Sequence, residues 1–149
     1  MPKYYHLKDA FVYLKNPQKY RGSRPCTLRS GYEITWVLKF LDVHPSVLEW
    51  GSESVIVKYM NPVDERMHRY FVDFWMKVRE ADGSIKEYLL EVKPKKQTMA
   101  PKLPKKKSRR YLEEVNTYIK NTAKWEAATK FADQKNMVFK LITEEDLPG

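Results

Sequence analysis

The chain has 149 residues, enough for one domain with its own core, and 42% of them are hydrophobic and 13% aromatic. Charged residues make up 32%, and no apolar run approaches the ~20 residues that a membrane helix needs, so membrane-spanning functions are excluded. The formal net charge of +9 is unevenly spread: residues 1–32 hold seven Lys and Arg against one acid, and residues 93–110 hold nine against none. Residues 33–92 hold seven against eleven, and residues 111–149 five against seven. Two basic segments thus flank an acidic middle, which suits a polyanion-binding surface around an acidic site. A solvated, Lys- and Pro-rich loop is the plainer alternative for the second segment. The N-terminal stretch MPKYYHLKDAFVYLKNPQKY has no uninterrupted apolar run and no small-residue cleavage site, so no signal peptide is expected. The single cysteine, Cys26, excludes an internal disulfide and a cysteine-based zinc site, and a reducing cytosol is the expected compartment.

Residues 1–27 read as a basic, irregular arm punctuated by Pro2, Pro17, Gly22 and Pro25, in which any helix within 7–15 would be short. Residues 28–149 read as a single domain. Ser30-Gly31-Tyr32-Glu33 has capping-box spacing and predicts a helix to about Asp42, with Ile34, Val37, Leu38 and Leu41 as its buried stripe. Three strands are predicted next, within 48–60, at about 68–79 and at about 85–93. In the second, Tyr70, Val72, Phe74, Met76 and Val78 form one face, and Arg69, Phe71, Asp73, Trp75 and Lys77 the other. In the third, Tyr88, Leu90 and Val92 oppose Glu87, Leu89, Glu91 and Lys93. The segment 94–107 is a basic loop interrupted by Pro94, Pro101 and Pro104. A long helix is predicted over 109–134, with Leu112, Val115, Ile119, Ala123, Ala127 and Phe131 buried and Asn121 interrupting the pattern. The last element, 137–142, is a short apolar strand expected inside the sheet.

Register follows from parity. Joining the second and third strands through a loop at 81–83, with Gly83 supplying a positive φ, pairs Glu80 with Ser84 and places Asp73 directly opposite Glu91. A two-residue loop would oppose Asp73 to Val92 and break the facial pattern. Asp73, Glu91 and Lys93 are therefore expected on one face, with the carboxylates as cross-strand neighbours. Like charges directly opposite repel, so a cation or a proton belongs between them.

A helix glutamate (Glu33), a strand aspartate (Asp73) and Glu91-Val92-Lys93 on the next strand resemble the PD-(D/E)XK nucleases. The stretches RYFVDFWMKV, LLEVKPKKQ and KWEAATKFADQKNMVFKLITEEDL resemble the endonuclease domains that serve transposon-encoded transposases. They are still more similar to the head completion nucleases of large tailed phages, as are YRGSRPCTLRSGYEITWVLKFLD and HPSVLEWGSESVIVKYMNPVDERMHRYFVDFW. The likeness runs from Tyr20 onward. One departure is that Val72, not proline, precedes Asp73.

The resemblance implies an α/β, restriction-endonuclease-like fold: a mixed central sheet flanked by helices in the order α-β-β-β-α-β. It implies a metal-dependent DNA endonuclease of phage head completion and DNA packaging. Asp73, Glu91, the Val92 carbonyl and Glu33 would hold one or two Mg²⁺ ions, with Mn²⁺ as a substitute, and Lys93 would orient or help deprotonate the attacking water. Lys95, Lys96, Gln97, Lys102, Lys105, Lys106, Lys107, Arg109 and Arg110 would meet the phosphates of double-stranded DNA. Expected partners besides DNA are phage portal or neck proteins, and the expected places are the host cytoplasm during assembly and the virion. Each residue has a plainer role: Glu33 as a capping acid, Glu91 and Lys93 as an edge pair, Gln97 as a loop glutamine, and His44 and His68 as structural side chains. Trp36, Trp50 and Trp125 are expected in the core. A structural virion protein that binds DNA on a nuclease scaffold is the alternative function. A third is the nuclease component of a transposon, without its partner-binding domain.

Overall fold

The computed structural model describes residues 6–149. Its elements are α1 (Gly31–Trp36, continued by a wider π turn over Val37–Leu41), β1 (Val47–Ser52), β2 (Ile56–Asn61), β3 (Arg66–Phe71), β4 (Phe74–Arg79), β5 (Ile85–Val92), α2 (Arg109–Gln134) and β6 (Val138–Ile142). Four strands form a mixed sheet in the order β1-β4-β5-β6, antiparallel except for the parallel β5–β6 pair, while β2 and β3 form a separate antiparallel ribbon. The fold is the expected mixed α/β architecture, a central mixed sheet flanked by helices.

The sheet is apolar on both sides because each side has its own cover. Leu90 and Val92 pack with Phe74, Met76 and Val78 against Ile34, Trp36, Val37 and Leu41 of α1 and its continuation. Leu89, the alternate residue on β5, faces the other way, toward Val57, Tyr59, Ala128 and Ala132 of the ribbon and α2. Leu89 and Leu90 are both fully buried, and each such leucine contributes about 1.5–3 kcal/mol relative to exposure.

The segment read as an irregular arm belongs to the first of these layers. Leu7, Ala10, Tyr20, Cys26 and Leu28 are buried there, and Leu7 bridges to Leu28 in antiparallel fashion. Its helical turns are the short 3₁₀ stretches Ala10–Tyr13 and Pro17–Lys19. Buried Asp42 fastens it by accepting the Lys15 and Asn16 amides at 2.7 and 2.9 Å. The part of the arm before His6 lies outside the described residues.

Five strands, not three, precede α2. The predicted strand at 48–60 divides at Glu53, whose φ of +51° turns the chain. The predicted strand at 68–79 divides at Val72-Asp73: the Val72 amide donates to the Val55 carbonyl, and pairing with β5 begins only at Phe74. The division reverses the facing. Tyr70 and Val72 pack on the α2 side, whereas Phe74, Met76 and Val78 pack on the α1 side, so they do not share one face. Two further expectations change. The 138–142 strand lies at the sheet edge rather than inside it, with α2 packed over it. The apolar stripe of α2 is covered only in its second half, while Leu112 and Ile119 remain 54% and 38% exposed.

The β4–β5 hairpin is as parity requires. The Glu80 amide donates to the Ser84 carbonyl at 2.8 Å, Gly83 takes φ +87°, and Phe74 pairs with Leu90. One step further along that register sets Asp73 opposite Glu91.

Candidate active site

Asp73 occupies the break between β3 and β4, Glu91 lies near the end of β5, and Lys93 follows β5 directly. Glu91 is only 4% exposed. Its Oε1 accepts a hydrogen bond from the Tyr70 hydroxyl at 2.7 Å, and its Oε2 lies 3.8 Å from Lys93 Nζ. Asp73 Oδ2 accepts the Val92 amide at 2.9 Å. One oxygen of each carboxylate is thus committed to the protein, leaving Asp73 Oδ1 and Glu91 Oε2 as donors for a cation. Burial pushes the Asp73 carboxyl well above the usual carboxylate range, and the neighbouring Glu91 and Glu33 charges add to that. Proximity of like charges in a drained site is the physical signature expected of a cation or proton position.

Glu33 stands in the first turn of α1. The Ser30 hydroxyl accepts the Glu33 amide at 3.2 Å, as in a capping box. The return bond differs: Glu33 Oε1 accepts the Arg29 amide at 3.1 Å rather than that of Ser30. Burial also raises the Glu33 pKa, with the Glu53 and Glu91 charges contributing. Capping and proximity to the pair therefore coexist in one side chain. Among the described residues, no three His, Cys, Asp or Glu side chains converge into a ready-made cation cage.

Sequence reasoning misses four neighbours of the site. Strand alternation puts Tyr70 on the face opposite Asp73, and only the strand break brings its hydroxyl to Glu91. Arg29 and Glu53 form an ion pair at 2.6 Å behind Glu33, and the Glu53 amide donates to the Asp73 carbonyl at 3.0 Å. Lys124 of α2 sets its ammonium 5.1 Å from the Tyr70 ring centroid. Burial lowers its pKa, opposed by the Glu91 charge. A lysine every fourth position of a helix is an ordinary pattern, so no sequence signal separates Lys124 from its neighbours.

The expected DNA contacts divide into three groups. Lys96, Gln97, Lys102, Lys105, Lys106 and Lys107 lie on the outside of the basic segment, and all six are exposed. Arg109 and Arg110 are exposed but lie 3.4 and 3.3 Å from Glu113 and Glu114 one turn along α2. Lys95 is held twice by the C-terminal segment, its ammonium 2.5 Å from Glu145 and its amide donating to Glu144 at 2.7 Å.

A central mixed sheet flanked by helices is the restriction-endonuclease-like fold. Residues 44–144 match the family described as TnsA-like endonuclease N terminal, and the chain belongs to that family. It is also 36% identical over 138 residues to the "Head completion nuclease" of Enterobacteria phage T4, with 89% of each chain covered. No solved structure matches it. Asp73, Glu91 and Lys93 fall within the family match, whereas Glu33 precedes it.

Proposed function

We propose that the chain is a metal-dependent DNA endonuclease of the PD-(D/E)XK type that acts in phage head completion. The observation that carries this is half-buried Asp73 set opposite buried Glu91, with Lys93 Nζ 3.8 Å from Glu91. A protein that only bound DNA would gain nothing from opposing two carboxylates at a site meant for phosphate. Membership of an endonuclease family and the nuclease name of the phage relative support the same reading.

The donor set suits Mg²⁺, which takes oxygen ligands, binds through one or two carboxylates and keeps several waters. Asp73, Glu91 and the Val92 carbonyl would hold it, with Glu33 adding a direct or water-bridged contact, and Mn²⁺ would substitute. When bound, the ion supplies Lewis-acid polarisation of the scissile phosphate. Lys93 orients the attacking water and offsets the charge that develops on the phosphoryl oxygens. Tyr70 fixes the rotamer of Glu91, and the Val92 amide fixes that of Asp73, so both carboxylates are held before substrate arrives.

On this reading the substrate is double-stranded DNA, and the work is done in the host cytoplasm during assembly, beside portal or neck proteins, with the finished virion as a second location. The test is incubation of purified protein with linear and supercoiled DNA in Mg²⁺, in Mn²⁺ and in EDTA. Nicking or linearisation of the supercoiled form with either metal, and none in EDTA, is the expected result. Tight binding without a cut in every condition would make the chain a DNA-binding structural protein instead.

A further inference from the structure

A cleft of about 1110 Å³ opens between the segment following Lys93 and the first half of α2, bounded on one side by Lys96 and Lys102 and on the other by Tyr118 and Asn121. The first wall starts at Lys95, two residues after Lys93, and α2 carries Lys124 one turn beyond Asn121.

Two side chains of α2, Asn121 on the cleft wall and Lys124 one turn further along, are placed to meet a ligand. Asn121 is only 5% exposed, and it lines the cleft. Asparagine is a poor helix-interior residue, and its amide offers the cleft both donors and an acceptor. Half-buried Lys124 has the Tyr70 ring beneath it, but among the described residues no carboxylate or carbonyl forms an ion pair or hydrogen bond with its ammonium. Lys120, one turn back, adds a like charge at the i,i+4 spacing, which opposes helix stability unless an anion joins the two.

Resting on the nuclease reading above, we propose that this cleft seats the nucleotide flanking the scissile phosphate, with Lys124 holding its phosphate and Asn121 hydrogen-bonding its base or sugar. Tyr118 offers the nucleotide a stacking surface that needs no particular base. The strand then passes along α2 from Lys93, and the exposed lysines of 102–107 meet phosphates further out.

The test uses the full chain in EDTA, so that no cutting intervenes, with a labelled linear DNA duplex titrated over a salt series. Lys124→Ala should loosen binding by about tenfold, the worth of one charge-assisted hydrogen bond, and should flatten the log–log salt slope by about 0.9. Lys124→Arg should restore both. Asn121→Leu should weaken binding several-fold while its melting temperature holds or rises, since leucine is the better helix former at a buried position. If Asn121→Leu and Asn121→Ala both melt lower, Asn121 is a structural amide and the proposal is wrong. Wild-type cleavage in Mg²⁺ with unaltered DNA affinity and slope in the variants overturns the subsite alone. A wild type that neither binds nor cuts DNA overturns the subsite and the nuclease reading together.

Discussion

The Val92 amide donates to Asp73 Oδ2 at 2.9 Å, tying the break between β3 and β4 to the end of β5. That bond makes one residue serve two purposes. Asp73 takes the place of a strand partner for Val92, and its carboxyl feels the charges of Glu91 and Glu33.

Asp73→Asn is therefore expected to abolish cleavage while the melting temperature holds or rises. The amide oxygen still accepts from Val92, and the repulsion with Glu91 disappears. Asp73→Leu should also abolish cleavage but destabilise by about 1–3 kcal/mol, the cost of leaving a buried donor unpaired. Thermal melts beside a cleavage assay separate the two effects, and wild-type turnover in either variant would remove Asp73 from the site.

The same carboxyl sets a pH dependence in the metal-free protein. Its folded pKa is raised by burial and by Glu91 and Glu33. As pH rises above the ordinary value of 3.8, the unfolded chain gives up this proton first, so the folded state binds more protons and stability falls. The fall continues until the folded pKa is passed. Asp9 is held below its ordinary value by its bonds to the Cys26 amide and to Arg24, so its contribution is lost only at more acidic pH, in a separate window. Urea midpoints of wild type and Asp73→Asn in EDTA, measured above pH 4, should converge toward acid and diverge toward neutrality. Parallel curves would contradict the raised value.

Tyr70→Phe tests the support of Glu91. It removes the hydroxyl that donates to Oε1 at 2.7 Å and adds nothing in its place. The loss of a buried hydrogen bond to a charged group should cost about 1.5–3 kcal/mol. Turnover should drop less than in Glu91→Ala, because Lys93 still stands beside Oε2. A variant as stable and as active as wild type would mean that Tyr70 only fills space.

What the sequence discloses about this site and what it conceals have separate causes. The Asp73–Glu91 opposition is legible because one parity argument and one glycine, Gly83, determine the whole hairpin register. The strand break at Val72-Asp73 is not, because the alternation from Tyr70 to Val78 runs through it without a missed beat. Both faces of the sheet are apolar, so a reversal of facing leaves no trace in the pattern, and Tyr70 reads as lying on the wrong side. The 138–142 strand is nearly continuous in apolar residues because α2 packs over it, and this mimics an interior strand. Residues 7–28 do not read as core because irregular backbone has no period to detect. Leu7 and Leu28 are joined by pairing across the fold, and Asp42 secures Lys15 and Asn16 from 26–27 positions away. Lys95 reads as one more free lysine because its partners Glu144 and Glu145 lie about fifty residues further on.

Lys93→Ala should lose cleavage far more than DNA affinity, since the role proposed for it is at the water and the phosphoryl oxygens, and one phosphate contact among many changes binding little. Single-turnover rates set against binding isotherms in EDTA decide it. Normal cutting with weakened binding would reduce Lys93 to one backbone contact among several.

The outlying basic segment makes the last prediction. Lys102, Lys105, Lys106 and Lys107 are exposed, and among the described residues no acid pairs with any of them, in contrast to Lys95 on Glu145. Pro101 and Pro104 keep this stretch from closing into a helix, and regular structure resumes only at Arg109. Such lysines act as point charges on flexible stems, which suits phosphate contact and not base reading. Each phosphate neutralised on duplex DNA contributes about −0.9 to the log–log salt slope of affinity, so replacing all four lysines by glutamine should flatten the slope by roughly three to four units. Preference among DNA sequences should stay as it was. Lys95→Gln should leave the slope nearly unchanged and instead lower the melting temperature slightly, because its charge is already spent on Glu145. Isotherms over a salt series for wild type and both variants test this directly. An unaltered slope in the quadruple variant would mean that residues 102–107 face away from DNA.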